Sequence, residues 1–219
     1  MYFEAATMPA SGAWAQKRRL AAALRTIIDR LVTSDAPEEQ LARAAEAAER
    51  YGASLAEHVQ RKGQWGFAES ANAGDVGAFF DQSPMIGLSN PLAPPLTLEA
   101  RDGRIHGAGI FGAAYEGPPG HVHGGFVAAA FDEVLGFAQS LSGNPGMTGT
   151  LTVRYRRPTP LHVQLRFDAG VDSVEGRKII TSGRLFAGEV LTAEAEGIFI
   201  SVDPARFMAM MEESRRSQG

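Results

Sequence analysis

The segment from Gly124 to Leu141 constrains the fold more than any other part of the chain. Phe126, Val127, Ala130, Phe131, Val134, Leu135, Phe137, Ala138 and Leu141 cover most of the circumference of a helix. A helix that is apolar nearly all round must be enclosed by other elements. Strand-like segments lie on both sides of it. Before it, "LTLEA" and "RIHGAGIF" flank Asp102-Gly103, a pair suited to a two-residue hairpin turn with positive φ angles. After it come segments 150–157, 161–171, 177–187 and 190–202. In the second of these, Leu161, Val163, Leu165, Phe167 and Ala169 alternate with His162, Gln164, Arg166 and Asp168, which gives one buried and one polar face. Glu175-Gly176 and Gly188 mark connections too short for parallel crossovers, so the strands pair antiparallel. The expected class is α+β: an antiparallel sheet of five or six strands wrapped around one long central helix.

An N-terminal helical extension, 1–62, precedes this domain. Leu20, Leu24, Ile27, Ile28 and Leu31 form one apolar stripe, with Lys17, Arg18, Arg25, Asp29 and Arg30 mostly outside it. Pro37 and the acidic residues after it open a second helix. Segment 63–95 has no period and is rich in Gly, Ser, Asn and Pro; its Trp65, Phe67, Phe79 and Phe80 predict an irregular connection packed on the core. The sheet-and-helix domain spans 96–203, and 204–219 is a C-terminal tail.

The 219 residues contain no cysteine, which removes disulfides, thiolate metal sites and a cysteine nucleophile. A net charge of −4 argues against broad nucleic-acid binding, which needs a sustained basic surface. No apolar run approaches the roughly 18 residues that span a bilayer. With no basic and apolar leader pattern either, the expected location is cytoplasmic.

The start of the central helix carries the chemistry. The first N–H groups of a helix have no intrahelical partner, and the helix dipole adds positive character there. Gly124 and Gly125 let a substrate approach that backbone closely, as the developing oxyanion of an acyl transfer requires. Asp132 lies two turns further on. Burial in an enclosed helix raises a carboxyl pKa toward the range of a general base, whereas Glu133 beside it reads as facing a polar seam. Seven residues separate Gly125 from Asp132, roughly 10 Å at about 1.5 Å per residue. One helix therefore does not bring both groups to one carbonyl. A homodimer in which the glycine terminus of one subunit meets Asp132 of the other resolves the mismatch.

The strings "EGPPGHVHGGFVAAAFDEVLG" and "MTGTLTVRYRRPTPL" resemble the PaaI-type hotdog thioesterases, and among them the acyl-CoA thioesterases related to the human thioesterase superfamily members four and five. The resemblance covers roughly Leu96 to Val202. It implies a hotdog fold and a site formed by His123-Gly124-Gly125, by Asp132 nine residues after the histidine, and by Thr148 sixteen residues after the aspartate. By resemblance Asp132 activates water or attacks the thioester, Thr148 positions the water or the aspartate, and Gly124 or Gly125 polarises the carbonyl. The implied reaction is hydrolysis of an acyl-CoA thioester to free acid and CoA, with no cofactor, in a homodimer or a dimer of dimers. Coenzyme A phosphates call for cationic contacts, for which Arg154, Arg156, Arg157, Arg177 and Lys178 are the candidates. His121-x-His123 raises a zinc site, which would need a third ligand from His106, His162 or Asp132; capping or packing is the commoner use of such a pair. Two other functions suit the same scaffold: a non-catalytic acyl-CoA-binding regulator, and an enoyl- or hydroxyacyl-CoA hydratase.

Overall fold

The computed structural model describes residues 10–58, 81–94, 96–144 and 146–201. Its elements in chain order are α1 (Gly12–Leu31), α2 (Glu38–Ala56), β1 (Thr97–Arg101), β2 (Arg104–Gly109), a 3-10 turn (Ala113–Tyr115), α3 (Gly124–Ser140), β3 (Gly146–Tyr155), β4 (Leu165–Glu175), β5 (Lys178–Ala187) and β6 (Val190–Ser201). The six strands form one antiparallel sheet in the order β1-β2-β4-β5-β6-β3, so β1 and β3 are its edges. This is the expected sheet around one long helix. Asp102 and Gly103 both have positive φ, as the β1–β2 hairpin requires.

The core lies between the sheet and one side of α3. Phe131 of α3 meets Phe167 of β4 edge to face at 5.5 Å, and Val127, Val134, Leu135, Ile105, Leu165, Ile179, Leu185 and Phe199 are all fully buried around them. Each such aliphatic or aromatic side chain contributes roughly 1.5–3 kcal/mol by leaving water. Alternation holds along β4, where Leu165, Phe167 and Ala169 are buried and Arg166 is exposed. That strand begins four residues later than the 161–171 segment predicts. His162 has φ +59, which turns the chain before pairing starts and leaves Val163 39% exposed.

Two expectations are corrected. First, α3 is not enclosed all round. Gly125, Ala129, Asp132 and Gly136, spaced four, three and four residues apart, form a stripe of which Gly125 and Asp132 are exposed and the other two half-buried. The sheet covers one flank of the helix, and its β3 edge ends beside this stripe. Second, the apolar stripe of α1 does not face the domain. Ile27, Ile28 and Leu31 are 57%, 40% and 58% exposed, while the supposed outer residues Arg18, Arg25 and Asp29 make the docking contacts. Arg18 and Trp14 both bond to the Asp81 carboxylate, which is 3% exposed. Arg25 donates to the carbonyls of Asn90 and Leu88, and the Asp29 carboxylate accepts from Ala114 N–H. The surface beneath α1 presents the Leu88 and Asn90 carbonyls, the Ala114 N–H and the Asp81 carboxylate, so polar and charged side chains satisfy it and aliphatic ones do not.

Glu38 and Glu39 occupy the first turn of α2, as expected, while Pro37 stands one residue earlier, at the N-cap position rather than in that turn; every residue of the helix is exposed. Of the 63–95 connection, the described part is irregular and packed, with Asp81, Ser83, Met85, Ile86, Ser89 and Ala93 buried. Trp65, Phe67, Phe79, Phe80 and the 204–219 tail lie outside the described residues. Among the described residues, no helix is long and apolar enough to cross a membrane.

Candidate active site

The loop that delivers α3 is tied down on both sides. Gly117 N–H donates to His121 O at 2.9 Å, Val122 N–H to Thr159 O at 2.8 Å, and Leu161 N–H to Gly120 O at 3.1 Å. His123 is the N-cap. Its N–H donates to Tyr115 O at 2.8 Å, its carbonyl accepts from Phe126 and Val127, and its ring Nδ1 accepts from Gly125 N–H at 3.0 Å. A ring nitrogen that accepts carries no hydrogen, so in this contact Nε2 is the nitrogen left to donate.

This cap decides between the two glycines. Gly125 N–H is occupied by His123, whereas Gly124 N–H has no acceptor among the described residues. Gly124 is in turn fixed by β3, because Tyr155 OH donates to Gly124 O at 2.8 Å. Tyr155 was missed by sequence reasoning. Its position in "VRYRRP" at the end of a strand gave no sign that it reaches the helix start.

Two turns along α3, Thr148 Oγ1 donates to Asp132 Oδ1 at 2.8 Å. The pairing of β3 with β6 shifts between Thr148 and Thr150, a β-bulge at Gly149 that re-aims the strand beside this contact. Asp132 is exposed, which corrects the expectation that it is buried. Glu133 carries that burial instead. Its carboxyl is pushed up to about 7, first by burial, with the charge of Asp132 adding and the hydrogen bond from Ser83 Oγ at 3.2 Å opposing. Asp132 stands on the open stripe; Glu133 turns under the 81–94 segment.

The basic residues separate into two groups. Arg156 and Arg157, with Gly124, His121, Val127 and Tyr155, line a cleft of about 360 Å³ at the start of α3. Arg156 is held there by Glu194, and Arg154 stands opposite the same glutamate on β3. Arg177 donates to Ser201 O, and Lys178 pairs with Ile200, whose other neighbour is Met147. Met147 and Tyr155 are at opposite ends of β3, roughly 26 Å apart at about 3.3 Å per residue. Within one chain, Arg177 and Lys178 therefore do not join Arg154, Arg156 and Arg157 in a single patch. His121 Nδ1 lies 2.8 Å from Pro119 O, and no cluster of three or more His, Asp or Glu side chains suited to a metal occurs among the described residues.

The arrangement places a free backbone donor beside an arginine-edged cleft, and a hydroxyl-bonded carboxylate on an open helix face. Comparison with known proteins gives it a context. Residues 119–194 match the thioesterase superfamily. Acyl-coenzyme A thioesterase THEM4 of Xenopus laevis is 37% identical over 95 residues, 42% of this chain and 43% of that protein. Human acyl-coenzyme A thioesterase THEM5 is 30% identical over 93 residues, 42% of this chain and 38% of that protein. The matched region thus spans less than half the length of these relatives. A crystal structure described as a thioesterase superfamily protein is 35% identical, covers 88% of this chain and 97% of its own, and superposes with a TM-score of 0.75. That match takes in the N-terminal extension as well as the hotdog domain, and on it this chain belongs to the thioesterase superfamily.

Proposed function

We propose that the protein is an acyl-CoA thioesterase that hydrolyses an acyl-CoA thioester to the free carboxylic acid and CoA. The observation that carries this reading is the Asp132–Thr148 pair, a 2.8 Å hydrogen bond to an exposed carboxylate on the open face of α3. Two of the relatives reported above are named acyl-coenzyme A thioesterases. In this mechanism Asp132 takes a proton from water while the water oxygen bonds to the thioester carbonyl carbon. The displaced electron pair collects on the carbonyl oxygen, facing Gly124 N–H at the positive end of the helix. As the carbonyl reforms, the C–S bond breaks, and the CoA sulfur takes up the proton held by Asp132. Thr148 fixes one oxygen of the carboxylate, leaving the other for water. Asp132 acting as the nucleophile is the variant of this scheme in which the acyl group passes through an anhydride.

The working unit in this reading is a homodimer. β3 is a ten-residue edge strand with exposed Met147 and Tyr155, and the Gly125, Ala129, Asp132, Gly136 stripe runs beside it. Two β3 edges paired antiparallel about a two-fold axis bring the Met147 end of one strand to the Tyr155 end of the other. Arg177 and Lys178 of the partner subunit then approach Arg154, Arg156 and Arg157, and the divided basic residues form one phosphate-binding group. The test is thiol release from a panel of acyl-CoAs. Asp132→Asn is expected to lower turnover by at least about 100-fold, the usual contribution of a positioned base, with CoA binding retained. Turnover near that of the unmodified protein would overturn the mechanism.

A further inference from the structure

A second cleft, of about 420 Å³, lies between α1 and the sheet domain and shares no lining residue with the cleft at Gly124. Ile28 and Ile110 give it an apolar wall, and Arg25, Arg30 and His162 frame it with basic groups. Arg25 is the informative residue. Its guanidinium donates to two neutral carbonyls, Asn90 O at 2.8 Å and Leu88 O at 3.2 Å, and it has no carboxylate within ion-pair distance among the described residues. Burial lowers its pKa, with nearby Tyr115 opposing. A half-buried cation held only by neutral acceptors keeps an uncompensated charge, which is stabilised when an anion arrives.

The acid in this cleft does not supply that anion. Asp29 is turned onto the 3-10 turn, where it accepts from Ala114 N–H at 3.4 Å and occupies the space a side chain on Gly112 would need. The Arg30 guanidinium makes no hydrogen bond or ion pair among the described residues. His162 holds a left-handed backbone, φ +59, while its residue lines the cleft. Strain of this kind in a non-glycine residue persists where surrounding structure over-determines it, and such positions gather at ligand sites.

We infer that this cleft is a second ligand site, taking an anionic amphiphile whose carboxylate sits among Arg25, Arg30 and His162 and whose short aliphatic tail lies on Ile28 and Ile110. Its volume falls within the range of small-molecule sites. The inference does not rest on thioester hydrolysis, although a free carboxylic acid is the product of that reaction and would be the natural occupant. The link to the catalytic helix is short. Tyr115, which also lines the cleft, accepts His123 N–H through its carbonyl at 2.8 Å, and its ring meets Phe126 edge-on at 4.9 Å. An occupant that shifts Tyr115 shifts the N-cap of α3.

The test is calorimetric titration of octanoate into the full chain and into the double variant Arg30→Gln, His162→Asn. Asparagine tolerates the left-handed backbone, and both positions are exposed, so the fold is retained. Octanoate is expected to bind the unmodified protein and to lose at least about tenfold in affinity in the double variant. Octanol and inorganic phosphate, each offering half of the ligand's chemistry, are expected to bind at least about tenfold more weakly than octanoate. No octanoate binding, binding unchanged in the double variant, or phosphate bound as tightly as octanoate would each overturn the assignment. Because the readout is heat of binding, a protein that hydrolyses no thioester leaves this test intact.

Discussion

Asp132 and Glu133 are neighbours in the chain but about 100° apart around α3, and that rotation gives two carboxylates opposite surroundings. Asp132 faces the open stripe, while Glu133 lies under the 81–94 segment against Ser83, itself fully buried. The folded-state pKa of Glu133, about 7, stands above the 4.5 of a solvated glutamate. The folded chain therefore binds this proton more tightly than the unfolded chain. Its contribution to stability is complete below pH 4.5 and is lost as pH rises through 7, at a cost of about 3 kcal/mol once fully ionised. Glu133→Gln keeps the shape and the acceptor for Ser83 but cannot ionise. Urea unfolding should find that variant more stable than the unmodified protein at pH 8, with the difference closing toward pH 4.5; a difference independent of pH would mean Glu133 is not the titrating group. Sequence reasoning anticipated a buried carboxyl on an apolar helix and placed the burial one residue too early. Apolar neighbours are visible in a sequence, but which flank of the helix the sheet leaves bare is not.

The same limit explains α1. Its periodicity identified a helix, and the helix is there, but periodicity cannot say that the surface waiting for it is polar backbone. Trp14, Arg18, Arg25 and Asp29 recur at helical spacing and clamp two separate pieces of chain, the 81–94 segment and the 3-10 turn at Ala113–Tyr115. Through them an extension outside the 119–194 match touches both partners of α3: Tyr115 holds His123, and Ser83 holds Glu133. Asp81 is the anchor of this arrangement, and Arg18 with Trp14 supplies its charge and hydrogen bonds. Arg18→Ala leaves that buried carboxylate without its cation, which typically costs roughly 3 kcal/mol or more. Amide exchange should locate the damage: Ser89 N–H, which donates to Asp81 O, should lose protection, while the β4–β5 hairpin keeps its own. Uniform loss across the sheet would show that α1 supports the whole domain rather than this segment. The strand that begins late at Leu165 has a related origin, since nothing in the alternation of Leu161 and Val163 reveals the positive φ of His162.

At the scale of the whole molecule, the sheet around a helix was legible in the sequence, and so was the distance along that helix between the glycine start and Asp132, which called for a second copy; the division of the basic residues between two ends of the sheet was not, because it depends on which strands pair. Gly124 N–H and Asp132 stand at different levels of one helix, one side of β3 has no strand partner among the described residues, and the basic residues divide between the Tyr155 end of β3 and the opposite end of the sheet, where Lys178 of β5 pairs with Ile200. Each of these gaps closes if two copies share the site. Complementation separates that arrangement from a single-chain site. Gly124→Val crowds the donor at the helix start, where a side chain already meets the Tyr155 ring at 3.4 Å, and Asp132→Asn removes the base. Each variant alone is expected to be inactive. After mixing, unfolding and refolding together, half of the dimers are mixed, and in each mixed dimer one shared site combines the intact glycine terminus of one copy with the intact aspartate of the other. Activity should then return to about a quarter of the unmodified level. If each chain instead used its own glycine and its own aspartate, every site in the mixture would carry one lesion and no activity would return. The refolded unmodified protein sets the scale, so poor refolding lowers both readings together and leaves their ratio to decide.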